Sequence, residues 1–402
     1  MSTWADLTTG KRIKHLRGSD LTQHGLAEAS GLSYATIQKA EQDRGELSVG
    51  SLLAIAHALR TDVAVLLGQQ APRRGADRGH RAALRQLSDA VHESALGEWE
   101  GIEDPSSVAA LGSARDAAWS AYWASDTERV STYAARVLME GQARLATATG
   151  AERDQLALIL ASTYRVAAAC ANGLGYRDLA LGALTSAKTL ANQVDDPVMR
   201  ALLESTLSWV YLRGTRTDRA VAVAERAAMA IEPSFSKASR PRLLAYGRLM
   251  IAAAVAASRR EDESAADDYL SQAHAAAARL GRDERLYGTA FGPTAARTEA
   301  VGIHVALKDY GRALKLASHP DMQALPATMT KVARNRYKLD VALAQCSTGL
   351  YDQAGETLIE VGRDAPEWVK HQALPGVIGR RLASVSTSRV RNISDAIGVP
   401  LI

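Results

Sequence analysis

"LTQHGLAEASGLSYATIQKAE", residues 21–41, decides how the N-terminal part of this chain folds. Thr22 is a helix-capping residue type, because its hydroxyl can accept a backbone N–H of the first turn, and Gln23 opens a short helix behind it. Leu26 and Ala27 fall on the side of that helix that must be covered. Gly31 stands where the chain has to turn, since a left-handed backbone costs little only for glycine. Ser33 then caps a second helix, whose Ile37 lies on the buried side. Counted from Gln23, the alanine is fifth, the glycine ninth and the isoleucine fifteenth. The small residue lets two helices cross closely, the glycine permits the sharp turn, and the branched side chain wedges the second helix in place.

The pattern extends in both directions. "GKRIKHLRG", residues 10–18, puts Ile13 and Leu16 on the inner face of a preceding helix. "LSVGSLLAIAHALRTDVAVLLG", residues 47–68, supplies two following helices, with Ser48 as a cap and Leu52, Leu53, Ile55, Ala56 and Leu59 inward. Residues 9–68 thus read as five short helices, and the whole stretch resembles the Cro/repressor-type (Xre) helix-turn-helix domain. The resemblance implies binding of double-stranded DNA. It directs the first residues of the third helix into the major groove, so Tyr34, Ala35 and Thr36 face base edges, with Lys39 one turn on. Lysine can donate to guanine, and an alanine or threonine methyl can pack on thymine. Gln23, Ser33, Gln42 and Arg44 are placed for phosphate contacts, which fix register without reading sequence. Arg17 and Glu41 match a pair that ties the first helix to the third in the family. Asp43 stands where the family often has glycine, and Gly25 lies inside the second helix, at a cost of about 1 kcal/mol against alanine. A head of this size reads few base pairs, so a homodimer on a palindromic operator is expected, with half-sites about one helical turn apart.

That head needs only a small part of 402 residues. The remainder is too long for one small core. Hydrophobic residues make up 47% and charged residues 23%, as in soluble globular proteins, while aromatics are scarce at 5% and alanine abundant, which favours packed helices over strands. A net charge of +4 is compatible with a nucleic-acid partner. Cys170 and Cys346 offer neither a disulfide framework nor zinc-ligand spacing and read as two buried thiols. There is no Walker-type glycine loop, no "HExxH" and no "GxSxG", so no catalytic residues, no metal and no cofactor are expected. The N-terminus lacks a signal-peptide core and no apolar run suggests a membrane span, so a cytoplasmic protein is expected.

Residues 69–80, "QQAPRRGADRGH", carry Pro72, Gly75 and Gly79 among Arg73, Arg74 and Arg78 and read as a linker between a domain at 1–68 and another at 81–402. Beyond it, apolar residues recur at steps of three and four, as in "MRALLESTLSWVYLRG", and no alternating strand pattern interrupts them. The fold class read from the sequence is all-α. The helices also repeat. "GYRDLA" at 175, "RTDRA" at 216, "EDESAA" at 261, "DYGRA" at 309 and "LYDQA" at 350 each start a new amphipathic helix, with Ala180, Ala220, Ala266, Ala313 and Ala354 in equivalent places. Pro197, Pro233 and Pro366 stand near helix ends. This resembles the tetratricopeptide repeat, a solenoid of helical hairpins with a concave binding surface, at a longer and more variable period.

A repressor head joined to such repeats resembles two groups: the peptide-pheromone receptors of quorum sensing, and a set of actinobacterial regulators with a segment like "FGPTAARTEAVGIHVALKDYGRALKLA", here at 291–317. Both imply that the repeats dimerise and sense a small molecule or a short peptide. The alternative is a DNA-tethered adaptor whose solenoid docks a protein. Polar and aromatic residues on otherwise apolar first helices are the candidate effector contacts: Arg165, Asn172, Trp209, Tyr246, Arg248, Arg297, His304, Arg334, Asn335 and Tyr337. Arginine can fork onto a carboxylate, an asparagine amide both donates and accepts, and aromatics give flat apolar walls. Within "FGPT", Pro293 and Thr294 are expected to break one helix and cap the next.

Overall fold

A computed structural model describes residues 4, 7–18, 21–44, 47–59, 61, 63–68, 78–99, 101–234, 237–323, 325–326, 329–369, 372–385 and 390–397. The expected linker falls mostly on residues 69–77, outside the described residues. The first helix beyond it already begins at Arg78, so Gly79 lies inside a helix and not in the linker.

The head consists of five helices: α1 (Thr9–Arg17), α2 (Gln23–Ser30), α3 (Tyr34–Glu41), α4 (Val49–Ala58) and α5 (Val63–Leu66). Thr8, Thr22, Ser33 and Ser48 each accept, through the side-chain oxygen, the N–H of the residue three positions on. Each cap satisfies a backbone donor that the helix itself leaves orphaned. Gly31 adopts φ 67°, the left-handed turn expected of it. Ile13, Leu26, Ile37, Ile55 and Leu66 are wholly buried and form the head's core, with Leu16, Leu32, Leu47 and Leu59 packed around it.

By its internal contacts the chain divides into two compact units, residues 1–76, 258–261 and 298–402, and residues 77–257 and 262–297. The helices after the head are α6 (Arg78–Leu96), α7 (Val108–Trp123), α8 (Thr127–Thr147), α9 (Gly150–Gly173), α10 (Arg177–Ala191), α11 (Pro197–Arg213), α12 (Thr217–Ala230), α13 (Arg240–Arg259) and α14 (Glu263–Leu280). Two three-residue strands follow, β1 (Glu284–Leu286) and β2 (Thr289–Phe291), paired antiparallel with Glu284 opposite Phe291. Then come α15 (Pro293–Ala306), α16 (Tyr310–Ala317), α17 (Pro320–Gln323), α18 (Lys331–Ser347), α19 (Tyr351–Asp364), α20 (Pro366–Val369), α21 (Ala373–Val385) and α22 (Val390–Ile397). Among the described residues the protein is all-α apart from this one hairpin, which corrects the expectation of no strand. Its two-residue turn, Tyr287–Gly288, has φ of 46° and 76°, the pair of positive values that a tight hairpin loop demands. A tyrosine at the first of these positions carries no sequence signal for a turn.

The long middle helix α9 packs against α7, α8, α10 and α11. Almost every residue from Leu156 to Asn172 is buried. By length and composition α9 could cross a membrane, but 89% of its most apolar stretch is buried inside the protein, the mark of a core helix.

Six helices share one entry geometry. α8, α10, α12, α14, α16 and α19 each begin two residues after a residue with positive φ: Ser125, Gly175, Thr215, Glu261, Lys308 and Gly349. In the last five of these helices the fourth residue is Ala180, Ala220, Ala266, Ala313 or Ala354, and all five alanines are fully buried. A side chain without γ atoms there allows close helix packing. α8 starts the same way with Val130 at that place, a member the sequence pattern did not reveal. Pro197 and Pro366 open α11 and α20, where a missing N–H costs nothing. Pro293 likewise opens α15. The first-turn N–H groups of Thr294 and Ala295 go to the Asp283 carboxylate, so Asp283, and not Thr294, caps that helix.

Candidate functional site

The third helix of the head presents its N-terminal face to solvent. Tyr34, Ala35, Gln38 and Lys39 are exposed and Thr36 is partly so. The expected base-facing residues therefore share one surface, and Gln38 joins them. The sequence reading omitted Gln38, although it lies one turn beyond Tyr34 and is a residue type that can pair with adenine. Ser33 is exposed, with its hydroxyl accepting Thr36 N–H at 3.1 Å and lying 2.8 Å from the Thr36 hydroxyl. Gln42 and Arg44 are exposed just past the end of α3.

Gln23 is placed differently from expectation. Its amide donates to Glu41 Oε2 at 2.7 Å. Glu41 also receives Arg17, with Nε to Oε1 at 2.5 Å and the second nitrogen to Oε2 at 3.2 Å. The expected Arg17–Glu41 pair is thus present as a two-pronged bridge, and Gln23 belongs to it. Burial pushes the Glu41 carboxyl up, but the hydrogen bonds from Arg17 and Gln23 outweigh burial and hold it below the usual glutamate range. The bridge joins α1, α2 and α3, which fixes the angle at which α3 is presented.

Two further ties fix the head. Asp43, at φ 55°, takes the left-handed backbone that glycine would take more cheaply. It keeps the place through its carboxylate, which accepts Thr8 Oγ1 at 2.5 Å and Gly10 N–H at 2.8 Å at the start of α1. Arg12, almost fully buried, donates to the carbonyls of Trp4 and Leu66, while the Trp4 indole donates to the Val65 carbonyl. Neither tie was legible from helical spacing.

The ten candidate effector residues fall in both units. In the unit made of residues 77–257 and 262–297, Arg165 lies among the aromatic residues of α7 and the hairpin tip. The Arg165 guanidinium lies 4.4 Å from the centre of the Trp119 ring and donates to Thr289 Oγ1 at 2.9 Å and to the Tyr287 carbonyl. Trp119, Tyr122 and Trp123 stack edge to face, at 5.7 and 5.0 Å. Trp123 donates to the Gly288 carbonyl, and the Tyr287 hydroxyl donates to Asp196. Gly288 lies so close to Trp119 that a β-carbon has no room there. Arg213 lies over Trp209 at 5.9 Å. Burial pushes Tyr122 up to about 12, against the pull of Arg213, Arg248 and Arg165. Burial draws Arg165 down to about 9, opposed by Tyr122 and reinforced by Arg248. Asn172, on the same face of α9 two turns beyond Arg165, is fully buried. Neither end of its amide has a hydrogen-bond partner.

The other candidates have structural partners or lie elsewhere. Tyr246 is buried and donates to Gln272 at 2.6 Å. Arg297 acts on His274, whose pKa falls first through burial and then through that charge. His304, Arg334, Asn335 and Tyr337 belong to the other unit. There His304 and Tyr337 are buried, Arg334 donates to the Pro326 carbonyl, and Asn335 donates to Asp364 at 2.8 Å. The sequence reading missed Trp119, Tyr122, Trp123 and Arg213. A signal was present in "AAWSAYWAS", residues 117–125, three aromatics in nine residues of an aromatic-poor chain. Cys170 and Cys346 are free and buried. Among the described residues no group of three His, Cys, Asp or Glu could hold a metal ion.

Neither a curated protein nor a solved structure matches the chain. A family model described as helix-turn-helix matches residues 13–66. That span runs from Ile13 in the first helix to Leu66 in the fifth and takes in the caps, the Gly31 turn and the exposed face of α3. Residues 13–66 are a helix-turn-helix of the Cro/repressor (Xre) type, a DNA-binding motif that supports a regulatory role in general, followed by an extended helical region.

Proposed function

We propose that this protein is a ligand-responsive transcriptional regulator that binds a palindromic operator as a homodimer. The observation that carries the reading is the face of α3, where Tyr34, Ala35, Gln38 and Lys39 stand exposed on a head closed by four side-chain caps and the Arg17–Glu41–Gln23 bridge. Tyr34, Ala35, Thr36 and Lys39 read base edges. Ser33, Gln42 and Arg44 hold phosphates, and Gln23 acts there through Glu41.

The helices beyond the head are a tetratricopeptide-like array. The recurring left-handed turn and buried alanine at the start of successive second helices support this, since stacked hairpins need that close approach. The array dimerises and senses a small molecule or short peptide. Arg165, Asn172, Trp209 and Arg248 are the favoured contacts; Tyr246, Arg297, His304, Arg334, Asn335 and Tyr337 serve the packing of the helices that carry them. To act at all, the effector must prefer one spacing of the two heads. A regulator of this kind works in the cytoplasm.

The test is fluorescence anisotropy of the full chain on DNA from upstream of its own gene, with and without extract of the producing cells, beside sedimentation equilibrium for the dimer. Salt-sensitive binding that extract shifts supports the reading. Tight binding indifferent to every extract favours a DNA-tethered adaptor that docks a protein.

A further inference from the structure

A cleft of about 420 Å³ opens in the second unit, walled by residues of α8, α9 and α10 and by the end of α6 with Trp99 just beyond it. None of Arg165, Asn172, Trp209 and Arg248 lines it, so it is separate from the contacts favoured above. Its volume lies in the range of small-molecule sites and far exceeds what one water or ion fills.

The floor is apolar. Leu145 and Leu190 are almost fully buried, the Tyr164 ring is wholly so, and half-buried Trp99 adds an aromatic wall. One polar point is set into this floor, and its donors run in a fixed order. Ser94 gives its hydroxyl proton to the Ala90 carbonyl. The Tyr164 hydroxyl, 2.7 Å from Ser94 Oγ, therefore donates to that oxygen, and its own oxygen is left to accept the Gln142 amide at 3.4 Å. With its N–H turned to the phenol, Gln142 has its carbonyl oxygen left as an acceptor. The α10 wall has the same polarity. Thr185 and Thr189 give their hydroxyl protons to the carbonyls of Leu181 and Thr185, at 2.9 and 3.1 Å. A hydroxyl carries one proton, so both oxygens can now only accept.

The mouth makes the opposite demand. Arg153 is exposed there, with one nitrogen donating to the Leu145 carbonyl at 3.0 Å. Among the described residues it has no ion pair, and Glu152 beside it is held by Arg144 at 2.8 Å. The lining contains no aspartate or glutamate. The rest of the Arg153 fork therefore suits an anion.

We infer that this cleft binds a small aromatic acid that bears an N–H or O–H donor away from its carboxylate. The carboxylate meets Arg153 at the mouth, the ring lies against Trp99 and the floor leucines, and the donor reaches the oxygens of Gln142, Thr185 and Thr189. The site stands on the cleft alone and does not need the regulator reading.

The experiment is calorimetric titration of the full chain with three probes. They are indole-3-acetate, indole-3-acetamide, which lacks the charge, and 1-methylindole-3-acetate, which lacks the donor. The expected result is saturable binding of indole-3-acetate, with the acetamide at least about tenfold weaker and the methylated acid at least about threefold weaker. Arg153→Gln weakens indole-3-acetate at least about tenfold and leaves the acetamide unchanged. Trp99→Leu weakens all three probes alike, by about threefold or more. Equal binding of acid and acetamide, a loss on Arg153→Gln that the acetamide shares, no loss on Trp99→Leu, or no binding of any probe at millimolar concentration overturns the site. The probe series on the unsubstituted chain decides even where a variant fails to fold. A methylated acid that binds as tightly as its parent overturns the donor assignment. Operator affinity is measured on the same samples. Binding of indole-3-acetate that leaves DNA affinity unchanged upholds the site and counts against sensing through this cleft, whereas a DNA response to extract with no binding of the probes upholds sensing and overturns the site.

Discussion

The imidazole of His24 and the phenol ring of Tyr34 lie face to face, their centres 3.9 Å apart and their planes within 5°. His24 is on α2 and Tyr34 is the first residue of α3, so the stack bridges the turn and restrains the side chain expected to meet the bases first. Tyr34→Ala should weaken binding to the preferred site by about 1–2 kcal/mol, the scale of a specific base contact. His24→Ala should cost less, about 0.5–1.5 kcal/mol, the worth of an aromatic pair. Both losses should be confined to the preferred duplex in anisotropy titrations. Equal losses on a scrambled duplex would show that the stack serves only folding.

Lys39 and Arg44 should separate by salt and by sequence. With Arg44 in the proposed phosphate-holding role, Arg44→Ala should weaken all duplexes alike and reduce the slope of log K against log salt by about 0.9. Lys39→Ala should change which base is preferred opposite it. Interchanged behaviour in binding-site selection would invert the two roles.

Acid should loosen the head through Glu41. Its carboxyl is held below the ordinary value of 4.5, so the unfolded chain takes up this proton first. The stabilisation from the pair with Arg17 and Gln23 is therefore full above that value and is lost as pH falls through the lowered one. Urea titrations of the head's transition from pH 7 down to pH 3 should show this fall. Glu41→Gln should be less stable at pH 7 and flatter with pH; a parallel curve displaced downward would argue that other acids set the dependence.

The head was legible because its rules are local. Thr22, Gly31, Ser33 and Ser48 act within a few residues of themselves, so their spacing alone places helices and turns. The buried alanines from Ala180 to Ala354 were readable for the same reason. What the sequence concealed depends on distant partners. Asp43 looked like a missing glycine because Thr8 and Gly10, which hold it, lie more than thirty positions away. The hairpin was invisible because "ERLYGTAF", residues 284–291, has only two three-residue strands and a tyrosine in a glycine-type turn. Gln23 was assigned to phosphate because nothing in its local pattern points to Glu41.

Thr215 takes φ 61° in the turn before α12, where its equivalents before α10 and α19 are Gly175 and Gly349. A β-branched residue pays roughly 1–2 kcal/mol for that conformation, and glycine's extra freedom in the unfolded chain returns only about 0.4–1 kcal/mol. Thr215→Gly should therefore raise Tm by up to about 4 °C for a unit of this size, and Gly175→Ala should lower it. Calorimetry decides; a lower Tm for Thr215→Gly would mean that the Thr215 hydroxyl's bond to the Gly214 carbonyl, at 2.7 Å, matters more than strain.

Gly288 has no tolerance. Alanine there must bear φ 76° and enter the space of the Trp119 ring. Gly288→Ala should cost at least about 2 kcal/mol, the sum of a strained backbone and an overfilled contact. The near-ultraviolet circular dichroism from Trp119 and Trp123 should weaken with it. An unchanged spectrum and Tm would mean that the hairpin tip can shift without loss.

The bond from Trp123 to Gly288 joins positions 165 residues apart. A chain emerges from the ribosome N-terminus first, at about 5–20 residues per second. Trp119, Trp123 and Arg165 are therefore in the open on the order of ten seconds before the strands that complete their surroundings are synthesised. Contacts this distant in sequence are also the slow ones to close. The second unit is finished from its C-terminal side, and a chain cut short before Tyr287 lacks the carbonyl and hydroxyl that receive the buried Arg165 guanidinium.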